Sequence, residues 1–195
     1  MKGKITFTAC VGMTLFLVMA CGQSMKPYEA LKDPSIVQKP SQNMITVEVK
    51  GDPSKTGDSV SLLYQAYFKL PIKAKKMVAP RARWPKPFNT PREEWVGIWG
   101  LPIPAVVTVV PQLKNQGGNG VRIETWEYGT VAEILHKGPY KTELPTVERL
   151  RTFISNQGYV ISGPHEEEYL RGPGMFGPGN PEKYYTIIRY PVKKR

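Results

Sequence analysis

The run Glu166-Glu167-Glu168-Tyr169 sets three carboxylates beside a phenol. Side chains alternate between the two faces of a strand, so in an extended segment Glu167 and Tyr169 share one face and Glu166 and Glu168 the other. A carboxylate ringed by aromatic side chains suits a cationic or amine-bearing apolar ligand: the carboxylate meets the charge and the ring faces take the body. Burial raises the pKa of such a glutamate, and a bound cation lowers it again. Trp95, Trp99, Trp126, Tyr128, Tyr140 and Tyr169 are aromatic candidates for such a ring. The two histidines read less chemically. His136 fits a structural role near the turn His136-Lys137-Gly138-Pro139-Tyr140, and His165 follows Gly163-Pro164 in a turn that exposes it. Two histidines without a free cysteine do not make a closed zinc site, so no metal and no cofactor are expected. There is no Gly-x-Ser-x-Gly elbow, no phosphate-cradling glycine loop and no Cys–His pair.

Those residues need elements to hold them. Met44 to Lys50 alternates apolar and polar residues and reads as a strand, ended by the turn Gly51-Asp52-Pro53. Asp58 stands where a helix N-cap belongs, and Val60, Leu63, Ala66, Tyr67 and Leu70 follow at helical spacing up to Pro71. Residues 78–92 are rich in Pro and Arg, and their path stays open; Met77 to Ala82 is readable as a strand. Glu93 to Ile103 is a strand by its aromatic and β-branched content, and Gln112 to Gly120 is a loop. Val121 to His136 reads as one long extended segment whose phase shifts near Gly129. Thr142 can cap a helix carrying Leu144, Val147, Leu150, Phe153 and Ile154, with Pro145 in its first turn and Gly158 as its stop. Tyr159 to Leu170 is extended, residues 172–181 form a Gly/Pro loop whose Met175 and Phe176 could reach a ligand, and Tyr184 to Val192 is the last strand. Each half thus reads strand–helix–strand–strand, and the last strands, Trp95 to Ile103 and Tyr184 to Val192, both end in Pro before Ile or Val. The expected class is α+β: tandem β-α-β-β repeats with pseudo-twofold symmetry, an antiparallel sheet with helices on one face and a ligand cleft on the other.

The N-terminus carries a different signal. Met1-Lys2-Gly3-Lys4 is a basic head, Ile5 to Ala20 is apolar and uncharged, and Cys21 follows. This is a signal-peptide layout, and Val18-Met19-Ala20-Cys21 resembles a bacterial lipobox. The expectation is a signal peptide over residues 1–20, a lipidated Cys21 with a flexible tether over 21–43, and a domain over 44–195, placed in the cell envelope on a bacterial membrane. Cys10 would leave with the signal, and the lipid would occupy the other cysteine of the two, so no disulfide is possible. Loss of Lys2 and Lys4 takes the net charge from +11 to +9. The basic residues are scattered (Lys73, Lys75, Lys76, Arg81, Arg83, then Lys193, Lys194 and Arg195) and form no recognition helix, so nucleic acid is not an expected partner, whereas an anionic lipid surface is.

Four blocks carry a family resemblance: Tyr128-Gly129-Thr130-Val131-Ala132, His136-Lys137-Gly138-Pro139-Tyr140, residues 163–170 (GPHEEEYL) and Tyr190-Pro191-Val192. In order and spacing they resemble the GyrI-like small-molecule-binding domain, the effector-binding module of AraC-type and MerR-type transcription activators. The resemblance implies a pseudo-twofold tandem fold with an aromatic pocket between the halves. It also implies a carboxylate at the pocket base, two residues before the tyrosine of a Glu-x-Tyr block, which here is Glu167. The function it implies is capture of a small apolar or cationic molecule, with Glu167, Trp95, Trp99, Trp126, Tyr128, Tyr140 and Tyr169 as the ligand-binding candidates. Some members resemble hydrolases, so the alternative is hydrolysis of small reactive electrophiles with Glu167 as general base and Tyr140 or Tyr169 as hydrogen-bond donor. A purely structural role and a haem site on His136 are further alternatives.

Overall fold

The computed structural model describes residues 25–52, 57–72, 78–87, 90–113, 120–173 and 179–195. After a 3-10 turn over Lys26–Lys32 come β1 (Ser35–Lys39), β2 (Gln42–Lys50), α1 (Gly57–Phe68), β3 (Arg81–Trp84) and β4 (Val96–Pro102). The second half has β5 (Arg122–Trp126), β6 (Gly129–Lys137), α2 (Leu144–Asn156), β7 (Tyr159–Ile161), β8 (His165–Arg171) and β9 (Tyr185–Lys194). The strands form one antiparallel sheet in the order β1-β6-β9-β8-β3-β4-β2-β5, with β7 added on β9, curled into a half-barrel.

That order is symmetric about its centre. β6-β9-β8 repeats β2-β4-β3, and the two units meet where β3 pairs β8, from Arg81 opposite Glu168 to Trp84 opposite His165. The aligned last strands of the two halves are β4 and β9, which hold equivalent places. Each unit also receives a strand from outside itself. β1, which precedes the first unit in the chain, pairs β6, and β5, which precedes the second, pairs β2.

Several expectations are corrected at this level. Residues 26–39 are not tether: they supply the 3-10 turn and β1, the strand that covers the free edge of β6. An edge strand exposes unpaired backbone groups, and β1 satisfies them on that side. Val121 to His136 is not one bent strand either. Gly129, at φ +60°, separates β5 from β6, which pair with opposite ends of the sheet. Thr142 does not cap α2; its hydroxyl donates to the Pro139 carbonyl, and Glu143 stands at the N-cap without a side-chain bond to the helix. α1 starts at Gly57, which places Asp58 inside its first turn.

Both helices lie on one face. Leu63, Ala66, Tyr67 and Leu70 pack on Ile45, Val47, Val49 and Leu101. Val147, Leu150 and Ile154 pack on Ala132, Ile134, Ile188 and Tyr190. Each fully buried Leu or Ile adds about 1.5–3 kcal/mol. Each helix therefore sits on the outer strands of its own unit. Among the described residues no helix lies above the centre, where β3 meets β8, and a groove remains between the two helices.

Candidate functional site

Strand alternation decides what reaches that groove. Glu167 pairs Ile188 of β9 and Ala82 of β3, both on the helix-bearing face, so His165, Glu167 and Tyr169 point to the same side as α1 and α2. The shared face expected for Glu167 and Tyr169 holds. The expected side does not: the cleft opens between the helices, because the units meet beneath neither of them, and not on the opposite face of the sheet.

The cleft encloses about 670 Å³. Val60 and Tyr64 of α1 line one wall, and Tyr140 and Glu143, just before α2, line the other. Trp84, Trp99, Glu167 and Tyr169 come up from the sheet, and Trp95 stands at the start of β4. The rings touch in series. Trp84 meets Trp95 and Trp99 edge-on, with centroids 5.8 and 6.0 Å apart. Trp99 stacks on Tyr169 at 5.2 Å and 13°, and Tyr169 meets Tyr140 at 5.6 Å. Gly97 makes room for this: a Cβ there would lie 2.8 Å from the Trp84 ring. A wall of rings already packed on one another costs little to order when a ligand arrives.

The polar groups cluster at one end. Glu167 is 7 % exposed, and His165 Nε2 lies 3.0 Å from its Oε1. Tyr169 lies on the same face, close enough to Glu167 for that carboxyl to raise its hydroxyl pKa. Side-chain atoms of Glu143, His165 and Glu167 all come within 4.8 Å of one another. Burial, and then the adjacent Glu167, push the Glu143 carboxyl up to about 8. Burial and Glu167 likewise raise the Tyr169 and Tyr140 hydroxyls, so both stay protonated donors at neutral pH. His165 is therefore not the exposed turn residue expected; it is 5 % exposed and belongs to the site. His136 matches its structural reading. Its Nδ1 lies 3.0 Å from Thr146 Oγ1, its Nε2 is 3.3 Å from the Pro139 carbonyl, and burial lowers its pKa.

Five of the seven candidates, Glu167, Trp95, Trp99, Tyr140 and Tyr169, line the cleft. Trp126 and Tyr128 do not, because they pack on Met44 and Val131 on the opposite face. There they cover an ionic network. Arg189, 1 % exposed, donates to Glu133 at 2.9 Å, Glu166 at 2.6 Å and Glu168 at 3.1 Å. Arg83 Nε donates to Glu166 Oε2 at 2.8 Å, and its guanidinium lies 4.1 Å from the Trp126 ring centre. Arg81 donates to the Tyr128 hydroxyl, which donates to Glu166. Glu166 and Glu168 thus belong to this network, and Glu167 between them faces the cleft. Among the site residues that escaped the sequence reading are Trp84, Glu143 and His165. The two-residue period His165-Glu167-Tyr169 was the available signal for the last. Nothing local announces the other two. Met175 and Phe176 lie outside the described residues.

The family of GyrI-like small molecule binding domains matches residues 32–193. Among solved structures, an uncharacterized conserved protein from Listeria innocua superposes with a TM-score of 0.69 at 22% identity, over 87% of this chain and 97% of that one. A hydrolase from Listeria innocua gives 0.65 at 22%, over 86% and 95%, and the EcmrR C-terminal domain 0.63 at 16%, over 84% and 98%. At such identities the likeness shows the fold. No curated protein matches.

Proposed function

The chain belongs to the GyrI-like family of small molecule binding domains, and on that premise we propose that it captures a small cationic compound with an apolar, aromatic-sized body. One observation carries this reading: Glu167, almost fully buried, lies at the floor of a cleft whose wall is a continuous series of touching rings. The carboxylate supplies the charge contact and the rings supply cation–π and apolar contact. Ethidium should quench tryptophan fluorescence, and Glu167→Gln should weaken its binding by about 10–100-fold, the loss of one charge-assisted contact. Phenanthridine, a neutral relative, should bind the variant and the wild type alike. Equal losses for both compounds, or no quenching, would sink the proposal.

A second reading rests on the two carboxyls. Glu143 holds its proton to about pH 8 beside the Glu167 carboxylate, and paired carboxyls with separated titrations can divide acid and base roles. With Tyr140 or Tyr169 donating, Glu167 could act as base on a reactive electrophile; one structurally similar protein is called a hydrolase. Under this reading Glu167→Gln abolishes turnover while neutral ligands still bind.

We also propose that the protein works in the cell envelope, lipidated at Cys21, which lies outside the described residues. The basic head, the apolar run and the lipobox-like sequence support this. Among the described residues no helix is long and apolar enough to cross a membrane. The 3-10 turn begins at Lys26, 26 − 21 = 5 positions beyond the cysteine, a reach of at most about 18 Å. The domain would rest against the headgroups rather than hang from a long tether. No nucleic-acid contact is expected through Arg81 and Arg83, which are paired with Glu168 and Glu166. Labelled palmitate should enter the wild type in a bacterial host and not Cys21→Ser; incorporation into both would remove the anchor at Cys21.

A further inference from the structure

The two faces of the sheet treat their carboxylates differently. On the helix-free face Glu133, Glu166 and Glu168 are matched by Lys39, Arg81, Arg83 and Arg189. In the cleft, Glu143 and Glu167 meet no lysine or arginine at ion-pair distance among the described residues; the partner of Glu167 is His165. Two carboxyls within 4.8 Å of each other, Glu167 buried and Glu143 half-buried, cannot both carry charge cheaply. A site of this kind lacks one positive charge. In the protein without its ligand a proton takes its place.

We propose that Glu143 is the second carboxyl of the ligand site, and that it shares with Glu167 a proton which an organic cation displaces on entering. This rests on the reading of the cleft as a cation site and adds its selectivity. The site holds two carboxyls within 4.8 Å of each other and no lysine or arginine at ion-pair distance among the described residues, which disfavours an anion. A cation both meets Glu167 and makes the ionised form of Glu143 acceptable. The balance is simple: one cation enters, one proton leaves Glu143 for solvent, and no covalent bond other than O–H breaks.

Other titrating groups border the pair, and none replaces it. On β8, His165 touches Glu167, Tyr169 lies beside it, and Arg171 stands at the rim. Before α2, Tyr140 and Lys141 line the cleft. His136 of β6 feels Glu167 but is occupied by Thr146 and Pro139. From β9, Tyr190 packs on His165 and feels Glu143, and Tyr184, at the start of that strand, contacts Tyr140. Across the cleft stand Tyr64 of α1 and, around the opening, Asp52, Lys86 and Arg92. Of these groups, Glu143 is the carboxyl pushed up to about 8, by burial and by Glu167, so it is the one that holds a proton at pH 7.

Titration calorimetry with ethidium, which has no titrating group near neutrality, tests the proposal in phosphate and in Tris at pH 7. These buffers differ in ionisation enthalpy, so the difference in observed heat counts the protons released. The wild type should release more than about half a proton per ethidium, and its affinity should rise by up to about tenfold per pH unit between pH 6 and 8. Glu143→Gln should bind ethidium within about tenfold of wild type, with no proton release and no pH dependence over that range. His165→Asn should keep the release, which separates the histidine from the carboxyl pair. Equal heats in both buffers with binding intact, or undiminished release from Glu143→Gln, overturns the proposal and leaves the cleft a cation site. No binding by any form, with all forms folded by circular dichroism, overturns the cation site and this inference with it.

Discussion

Arg189→Met should lower stability at pH 7 by about 3–5 kcal/mol, the usual cost of removing one partner of a buried ion pair. For a domain whose total is about 5–15 kcal/mol, that is a large share. Arg189 is 1 % exposed and bonds three glutamates from two strands, Glu133 of β6 and Glu166 and Glu168 of β8. Methionine fills the space and leaves three acceptors short of a donor. Burial alone would raise the Glu168 carboxyl, but Arg81 and Arg189 outweigh it and hold it below its ordinary value. A carboxylate lowered by folding stabilises above its unfolded pKa, and that contribution is lost as pH falls through the folded value. The deficit of Arg189→Met should therefore shrink as the pH drops below about 4, where carboxyls take up protons in both proteins. Adding Glu166→Gln to Arg189→Met should return part of the loss. Urea midpoints at pH 7 and at about pH 3 decide it; a variant within about 0.5 kcal/mol of wild type at pH 7 would show the network to be of no consequence.

Glu143→Gln should do the opposite and stabilise the protein, and only at higher pH. The sign follows from the direction of its shift. Below about pH 4.5 both folded and unfolded chains hold the proton, and the glutamate costs nothing. Between its ordinary value of 4.5 and about 8, the unfolded chain releases the proton while the folded chain keeps it, so stability declines steadily. Above 8 the full penalty remains. At 1.36 kcal/mol per pH unit, the gain from glutamine at pH 8 is on the order of 3–5 kcal/mol, and near zero at pH 4.5. Thermal melts across that range measure it. An equal gain at both ends would mean that Glu143 titrates normally and that glutamine acts through packing. Groups that cost stability where they stand are common at binding sites, since a site built to hold a charge is incomplete without its ligand.

How much of this could be read beforehand differs from residue to residue. The two helices were visible in Leu63, Ala66, Tyr67 and Leu70, and in Val147, Leu150 and Ile154, because an amphipathic helix writes its buried face as a local period. The separation of Glu167 from Glu166 and Glu168 was equally local, since alternation needs only that the segment be extended. β3 was half legible: Arg81 and Ala82 fell within the expected strand, but Arg83 and Trp84 lay among prolines and arginines that mask any pattern.

The chain order and spacing of its residues determined by themselves two strand–helix–strand–strand units, the family they resemble, and the common face of Glu167 and Tyr169. The tertiary structure alone decided that β1 and β5 close each other's units, that the cleft lies between the helices, that Trp126 and Tyr128 cover an arginine network on the far side, and that Glu143 and His165 join Glu167. Local periods depend on neighbours a few residues apart, and a single sequence records them. Strand order and facing depend on which distant segments pair. His165 and Trp84 are 165 − 84 = 81 positions apart, yet they lie opposite each other at the seam of the two units.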